Sequence, residues 1–177
     1  MATFDAVMRA AKKRPLFVPG AGARAVDFGR SDVEAMVPHR EPFLFVDGIR
    51  AFDATEKAVL GYRRIDPADP VFRGHFPGEP IYPGVLLLET MAQLSLCLRH
   101  LCEAGREAAA APNGPARVRL LRVVDAWFLA EVRPGDRIEI AARMIEEGGF
   151  TSVMAGQILR GDTICAVAVL EAYLPEE

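Results

Sequence analysis

One long apolar segment, which runs from about Gly84 to Ala104, constrains the fold of this chain more than any other feature. Pro83 precedes it, and proline suits the start of a helix because its missing N–H would have no partner there. Apolar residues cover nearly the whole circumference of the predicted helix between Val85 and Leu98. A helix of this kind must be buried on every side, so we expect it to form the centre of the core.

Strand-like segments lie on both sides of this helix in the sequence. Two of them precede it, Phe43–Phe52 and Lys57–Ile65. Four more follow it with glycine-containing turns between them, which is the spacing of an antiparallel meander: Arg117–Val132, Ile138–Glu146, Phe150–Leu159 and Thr163–Leu174. One buried helix with antiparallel strands predicts an α+β fold in which the sheet wraps around the helix.

The N-terminal region differs from the rest of the chain. Residues 1–14 have the apolar spacing of a short helix, and residues 15–30 are rich in glycine, proline and alanine, which is typical of a linker or arm. Ser31 and Glu34 then have the spacing of a capping box, with Ser31 as the N-cap. We therefore predict an arm over residues 1–30 and one compact domain over residues 31–177.

Composition excludes several classes of protein. The net charge of −3 gives no broad basic surface for nucleic acid, and the apolar segment holds too many polar residues for membrane insertion. No cysteine or histidine spacing suggests a metal site, and no glycine-rich phosphate loop is present, so we expect no cofactor. The N-terminus lacks the pattern of a secretory signal, and the three cysteines suit free thiols in a reducing compartment, which predicts a cytoplasmic protein.

Glu89 is the unexpected residue of the apolar helix. A buried carboxylate is costly unless it is paired, protonated or functional. Gln93 lies four positions further on and therefore on the same face, so the two form a polar stripe that must meet a cavity or a subunit interface. A structural glutamate bonded to the backbone is the equally weighted alternative.

His75 stands in a glycine- and proline-rich run, Arg73 to Gly78, whose backbone would bring it close to another segment. A lone histidine is usually structural or merely exposed. By themselves, then, His75 and Glu89 form a weak pair.

The run that contains both residues is long and specific. It reads FRGHFPGEPIYPGVLLLETMAQ from Phe72 to Gln93, and the upstream run from Met36 to Ile49 reads MVPHREPFLFVDGI. Both resemble the 3-hydroxyacyl-acyl carrier protein dehydratases of type II fatty-acid synthesis, and the resemblance extends from about Ser31 to Leu174. It implies a hotdog fold, which agrees with the buried helix and wrapping sheet.

The resemblance also implies roles for particular residues. His75 and Glu89 would be catalytic and would meet across a dimer interface, and a glutamate rather than an aspartate at position 89 favours dehydration without isomerisation. The backbone amide of Gly84 would polarise the substrate carbonyl, although a glycine here also suits a helix start. Gln93 is a further substrate-binding candidate because of its position beside Glu89, and it would either orient Glu89 or only pack beside it. No catalytic role is assigned to His39 or Arg40.

The chemistry requires such groups. Neutral histidine is available as a base near neutral pH and would remove the C2 proton, while a carboxyl group in apolar surroundings suits the protonation of the leaving hydroxyl at C3. We therefore expect a dehydratase that acts on 3-hydroxyacyl thioesters. The resemblance implies the (3R) configuration, acyl carrier protein as the carrier, and at least a homodimer, with a trimer of dimers as a candidate assembly. The alternatives are a hotdog thioesterase and a non-catalytic hotdog subunit that binds acyl chains. Tyr82 and residues 1–30 depart from the family pattern and leave the preferred chain length open.

Overall fold

A computed structural model of the protein describes residues 2–104 and 118–173. Its helices are α1 (Ala2–Ala11), α2 (Arg30–Met36) and α3 (Gly84–Ala104), with a short 3-10 turn at Pro70–Arg73. Its strands are β1 (Arg24–Phe28), β2 (Gly48–Asp53), β3 (Ala58–Arg64), β4 (Arg119–Phe128), β5 (Arg137–Glu147), β6 (Thr151–Arg160) and β7 (Thr163–Tyr173). Arg117 and Leu174, at the predicted ends of the meander, lie outside the described residues.

The strands form one antiparallel sheet in the order β1-β2-β3-β5-β6-β7-β4. α3 packs against β5, β6 and β7, and its Met91, Leu94 and Leu98 are fully buried. This confirms the predicted α+β arrangement of a sheet around a central helix.

Two glycines allow the helix to come so close to the sheet. A Cβ atom at Gly156 of β6 would lie 2.6 Å from the Cβ of Met91, and one at Gly61 of β3 would lie 2.8 Å from a methyl group of Leu94. Side chains at these positions would push α3 away from the sheet, because real Cβ atoms do not approach to such distances. The sequence therefore places its smallest residue where the central helix is seated.

One face of α3 is not covered by the chain's own sheet, so the expectation of burial on every side is wrong for this stripe. Its members are Val85, Glu89, Ala92, Leu96 and Arg99, which are spaced three or four residues apart and are all exposed or only partly buried. Residues 84–103 are long and apolar enough to cross a membrane by length and composition, yet 56% of an 18-residue window within that stretch is already buried inside the protein. The helix is the core helix of the sheet, with one face left for another surface.

The N-terminal helix is confirmed, but part of the predicted linker is a strand. α1 packs Met8 and Ala11 onto the outer face of β6 and β7. Residues 24–28, which we predicted as arm, form β1 and pair with β2 at one edge of the sheet. The strand is only five residues long, and the glycine and proline residues before it conceal its alternating pattern.

The predicted cap at Ser31 is also wrong. α2 begins at Arg30, with Gly29 as its N-cap, and the Asp32 carboxylate accepts a hydrogen bond from the Gly29 N–H over 2.8 Å. The stabilisation is the one expected of a capping box, since an acidic side chain satisfies an N–H at the positive end of the helix. It is displaced by two residues from the predicted position.

Candidate active site

Glu89 lies in the second turn of α3, with its side chain 25% exposed toward a cleft. Gln93, one turn further on, donates a hydrogen bond from Nε2 to Glu89 Oε1 over 2.9 Å. The same amide donates to the Phe43 carbonyl over 2.9 Å, and its oxygen accepts from the Phe45 N–H over 2.7 Å. Gln93 is fully buried, so these bonds fix its orientation and, through it, one oxygen of Glu89.

The same bonds explain where β2 begins. We predicted a strand from Phe43, but the structure begins the strand at Gly48. The backbone groups of Phe43 and Phe45 are bonded to the side chain of Gln93 instead of to a neighbouring strand. A single buried amide therefore joins the segment before β2 to the central helix.

His39 is the site residue that sequence reasoning missed. Its Nε2 lies 3.4 Å from Glu89 Oε1, and its Nδ1 is buried without a hydrogen-bond partner in the described structure. Arg40 instead donates to the carbonyls of Val37 and His39, so its guanidinium holds the local backbone. Nothing local in the sequence distinguishes His39, because its proximity to Glu89 depends on a contact fifty positions along the chain.

His75 occupies the turn that follows the 3-10 helix. Its Nδ1 lies 2.9 Å from the Ile81 carbonyl, and the Ile81 N–H donates back to the His75 carbonyl over 3.2 Å. A carbonyl can only accept, so Nδ1 must carry the proton and Nε2 of the neutral ring keeps its lone pair. Gly78, at φ +87°, makes the turn between these two residues possible. His75 is thus held in the tautomer of a base.

One chain does not bring His75 and Glu89 together. Among the ion pairs of the described residues, His39 is the histidine within 4 Å of Glu89. His75 instead stacks on Phe76, with ring centroids 4.0 Å apart. The sequence-based pair is therefore incomplete within a single chain.

Gly84 is the first residue of α3. The Pro83 carbonyl accepts from the N–H groups of Leu86 and Leu87, so the hydrogen bonds of the helix begin there, and the N–H groups of Gly84 and Val85 have no partner within the helix. A Cβ atom at Gly84 would lie 2.8 Å from the ring of Phe128, at the end of β4. Gly84 thus combines an unpaired, positively polarised helix end with a close aromatic neighbour.

The cleft beside Glu89 encloses about 600 Å³ of empty space, part of it open to solvent. The partly exposed stripe of α3 forms one wall, and inward-facing side chains of β6 and β7 form the opposite wall: Ser152, Met154, Leu170 and Ala172. Val118 and Leu120 lie at its border. The cleft is polar at Glu89, apolar along its middle, and polar again at Arg99.

Tyr82, which departs from the family pattern, lies in the main core and not on the lining of this cleft. It is 1% exposed, packs on Phe72, and has the guanidinium of Arg63 over its ring. Burial raises the pKa of Tyr82 to about 12, so its phenol is neutral at working pH.

The edge of the sheet next to the cleft is apolar, and no strand of residues 2–104 or 118–173 pairs with it on its outer side. β4 bonds to β7 on one side only, and large apolar side chains are exposed along and just beyond it: Leu120, Leu121, Val123, Trp127, Phe128 and Leu129. A long apolar edge strand is a site for association.

Within the described ranges, no cluster of histidine, cysteine or acidic side chains is suited to a metal ion.

A sheet wrapped around a central helix defines the hotdog fold, and solved structures share it. A chain of the dehydratase heterocomplex ApeI:P from Xenorhabdus doucetiae is similar with a TM-score of 0.62 and 18% identity, covering 87% of this chain and 94% of that chain. The acetyl-CoA complex of smu.793 from Streptococcus mutans has a TM-score of 0.55 and 15% identity, covering 78% and 98%. At these identities the likeness shows the fold alone.

Sequence comparison identifies the family. Residues 37–169 match the FabA-like domain. The 3-hydroxyacyl-[acyl-carrier-protein] dehydratase FabZ of Campylobacter concisus is 33% identical over 146 residues, covering 82% of this chain and 97% of the relative. The enzyme of the same name from Sulfurimonas denitrificans is 35% identical over 148 residues, covering 82% and 96%. The chain therefore belongs to the FabA-like family, as the motif from Phe72 to Gln93 predicted.

Proposed function

We propose that this protein is a hydro-lyase that converts (3R)-3-hydroxyacyl thioesters into trans-2-enoyl thioesters, with acyl carrier protein as the carrier of the acyl chain. The observation that carries the proposal is Glu89, held by Gln93 at one polar end of a cleft whose middle is apolar. The names of the relatives support both the reaction and the carrier. The protein would work without a cofactor, since the reaction needs only proton transfers. We place it in the cytoplasm.

In the proposed reaction His75 is the base. Nδ1 is engaged with the Ile81 carbonyl, so Nε2 is free to take the proton from C2. Electron density from the C2–H bond moves toward the thioester carbonyl, whose oxygen gains negative charge. The N–H of Gly84 and the positive end of α3 would stabilise that charge.

Glu89 is the acid. Gln93 occupies Oε1, which leaves Oε2 to carry the proton delivered to the C3 hydroxyl. The C3–O bond breaks, water leaves, and the C2–C3 double bond forms. The cycle ends with His75 protonated and Glu89 ionised, so one proton must return from the imidazolium to the carboxylate before the next turnover. Since the polar atoms of Gln93 are all engaged by the protein, we assign it to positioning Glu89.

We further propose a homodimer in which each site takes His75 from one subunit and Glu89 from the other. Three observations support it: the separation of the two residues within one chain, the exposed apolar edge β4, and the uncovered stripe of α3. Docking two such edges would bury both apolar surfaces and close the cleft. Three of these dimers would form the trimer of dimers that the family resemblance suggests.

A parallel assay distinguishes dehydration from its nearest rival. Crotonyl thioester is incubated with the protein while ultraviolet absorbance reports loss of the double bond and a thiol reagent reports hydrolysis. The dehydratase consumes the double bond without releasing thiol, because water adds to C3. A thioesterase would release thiol, and a non-catalytic acyl-binding subunit would change neither signal.

A further inference from the structure

The end of the cleft away from Glu89 holds buried polar groups that the proposed reaction does not use. Ser152 of β6 is 1% exposed, and its Oγ has no hydrogen-bond partner in the described structure. Nε and Nη1 of Arg99, on the opposite wall, are likewise buried without a hydrogen-bond partner. Unpaired buried donors are costly, and both of these residues line the cleft, so a hydrogen-bond acceptor bound between them would offer the donors a partner.

The charge of Arg99 is already balanced. Its Nη2 pairs with Glu103, its Nη1 lies 3.9 Å from Glu147, and Glu147 also pairs with Lys57. Two cations and two carboxylates therefore meet at this end of the cleft. A ligand with a further negative charge would unbalance them, whereas a neutral oxygen would satisfy the free donors at no charge cost.

The middle of the cleft sets the form of the ligand. Leu96 of α3 faces Met154 and Leu170 across it, which suits an unbranched hydrocarbon. Ten residues separate Glu89 from Arg99, or roughly 15 Å along the helix. An extended chain advances roughly 1.2 Å per bond, and the side chain of Arg99 leans back toward the helix N-terminus. A span of roughly eight to twelve bonds would therefore join C3 at Glu89 to an oxygen at Arg99.

We infer that the preferred acyl chain carries a neutral oxygen, a hydroxyl or a ketone, near its far end, where Arg99 and Ser152 bind it. This inference rests on the dehydratase function proposed above and names the substrate class of the same site. The oxygen accepts hydrogen bonds from Arg99 Nε or Nη1 and from the Ser152 hydroxyl. An unsubstituted chain of equal length leaves these donors unpaired and places a methyl group among them.

The test compares matched trans-2-enoyl thioesters of roughly ten to sixteen carbons, each with a terminal methyl, hydroxyl or methyl ketone group. Hydration rates at low substrate give kcat/KM for each, and crotonyl thioester, which is too short to reach Arg99, serves as the internal reference. Wild type should prefer the oxygenated chain by roughly tenfold at the best length, since a hydrogen bond from a charged donor is worth at least that much.

Three variants locate the preference. Ser152→Ala removes one unpaired hydroxyl and should reduce the preference severalfold, and Arg99→Met should abolish it. Ser95→Ala is the matched control, because Ser95 lines the same cleft but its hydroxyl already donates to the Met91 carbonyl over 2.8 Å. Each variant is scored by the ratio of its kcat/KM on the oxygenated chain to its kcat/KM on the unsubstituted chain. A general loss of activity lowers both values and leaves this ratio unchanged. If Arg99→Met fails to fold, the inference is tested by comparing the preference for the oxygenated chain in Ser152→Ala with that in Ser95→Ala.

Hydration of crotonyl thioester without preference for oxygenated chains, or with a preference that both Arg99→Met and Ser152→Ala retain, would overturn the inference and leave the dehydratase function standing. No hydration of any substrate would overturn both. A preference for a terminal carboxylate over the ketone would contradict the charge argument and overturn the neutral-oxygen assignment.

Discussion

Gln93→Met should damage both the fold and the reaction, although the residue touches no reacting atom in the proposed mechanism. Methionine keeps the length of the side chain but removes its donors and its acceptor. The Phe45 N–H and the Phe43 carbonyl would lose their bonds to Gln93, and Oε1 of Glu89 would lose its donor. The substitution therefore tests the hydrogen bonds of the Gln93 amide while the volume of the side chain is nearly kept.

The magnitude follows from the number of groups left unpaired. Each buried polar group without a partner costs about 1–3 kcal/mol, so the two backbone groups together should lower the free energy of unfolding by about 3 kcal/mol. The carboxylate is partly exposed and can recover a bond from water, so it adds little to that loss. Its orientation is lost, however, and we expect kcat to fall by roughly tenfold to a hundredfold with a small change in KM.

Urea unfolding and steady-state hydration of crotonyl thioester measure the two effects, at one protein concentration because association contributes to stability. Ser95→Ala is the control, since it removes a buried hydroxyl of the same helix that bonds only to the Met91 carbonyl. It should cost no more than about 1 kcal/mol. If Gln93→Met were no more damaging than Ser95→Ala in either assay, the structural role given to Gln93 would be refuted.

Three further predictions concern the helix start, the buried histidine and the apolar edge. Gly84→Ala should lower kcat, because its Cβ would meet the ring of Phe128 at 2.8 Å, and adding Phe128→Ala should restore part of the loss; a double variant no better than the single one would contradict this. Burial lowers the pKa of His100 below its ordinary value of 6.5. As the pH falls below 6.5, the imidazole of the unfolded chain takes up a proton that the buried imidazole resists. The contribution of neutral His100 to stability is therefore complete above pH 6.5 and is lost below it. The urea midpoint of unfolding should therefore fall less between pH 7.5 and 5 for His100→Gln than for wild type. An equal fall in both proteins would show that His100 is not the source of the pH dependence. Leu121→Glu should convert the proposed dimer to monomers and abolish activity, whereas Arg122→Gln should not dissociate it, as sedimentation would show, because it changes the neighbouring exposed residue of β4 without placing a second carboxylate beside Glu171.

The sequence predicted the elements whose patterns are long. The apolar length of α3 and the turn-separated segments after it were sufficient to predict a sheet around a central helix. β1 was missed because a five-residue strand between glycine-rich and helical segments has too few alternations to stand out. The cap at Gly29 was missed because glycine has no side chain to mark it, while Ser31 offered a plausible hydroxyl nearby.

The site was less predictable than the fold, for a physical reason. Periodicity marked Glu89 and Gln93 as one polar stripe, but the partners of Gln93 lie 48 and 50 positions away, and no local pattern records them. His39 approaches Glu89 through the same long-range packing. His75 was identified only through the resemblance of its motif, because a histidine in a turn has no periodic signal.

A mixed-dimer experiment tests the shared site most directly. His75→Ala and Glu89→Gln are each expected to be inactive alone, with folding intact. When the two are unfolded together in equal amounts and refolded, half of the dimers are mixed, and each mixed dimer has one site with both wild-type residues. The mixture should therefore regain about one quarter of wild-type hydration activity, from the arithmetic of a two-fold dimer. A mixture as inactive as its components, with mixed dimers demonstrably present, would contradict a site that takes His75 from one subunit and Glu89 from the other.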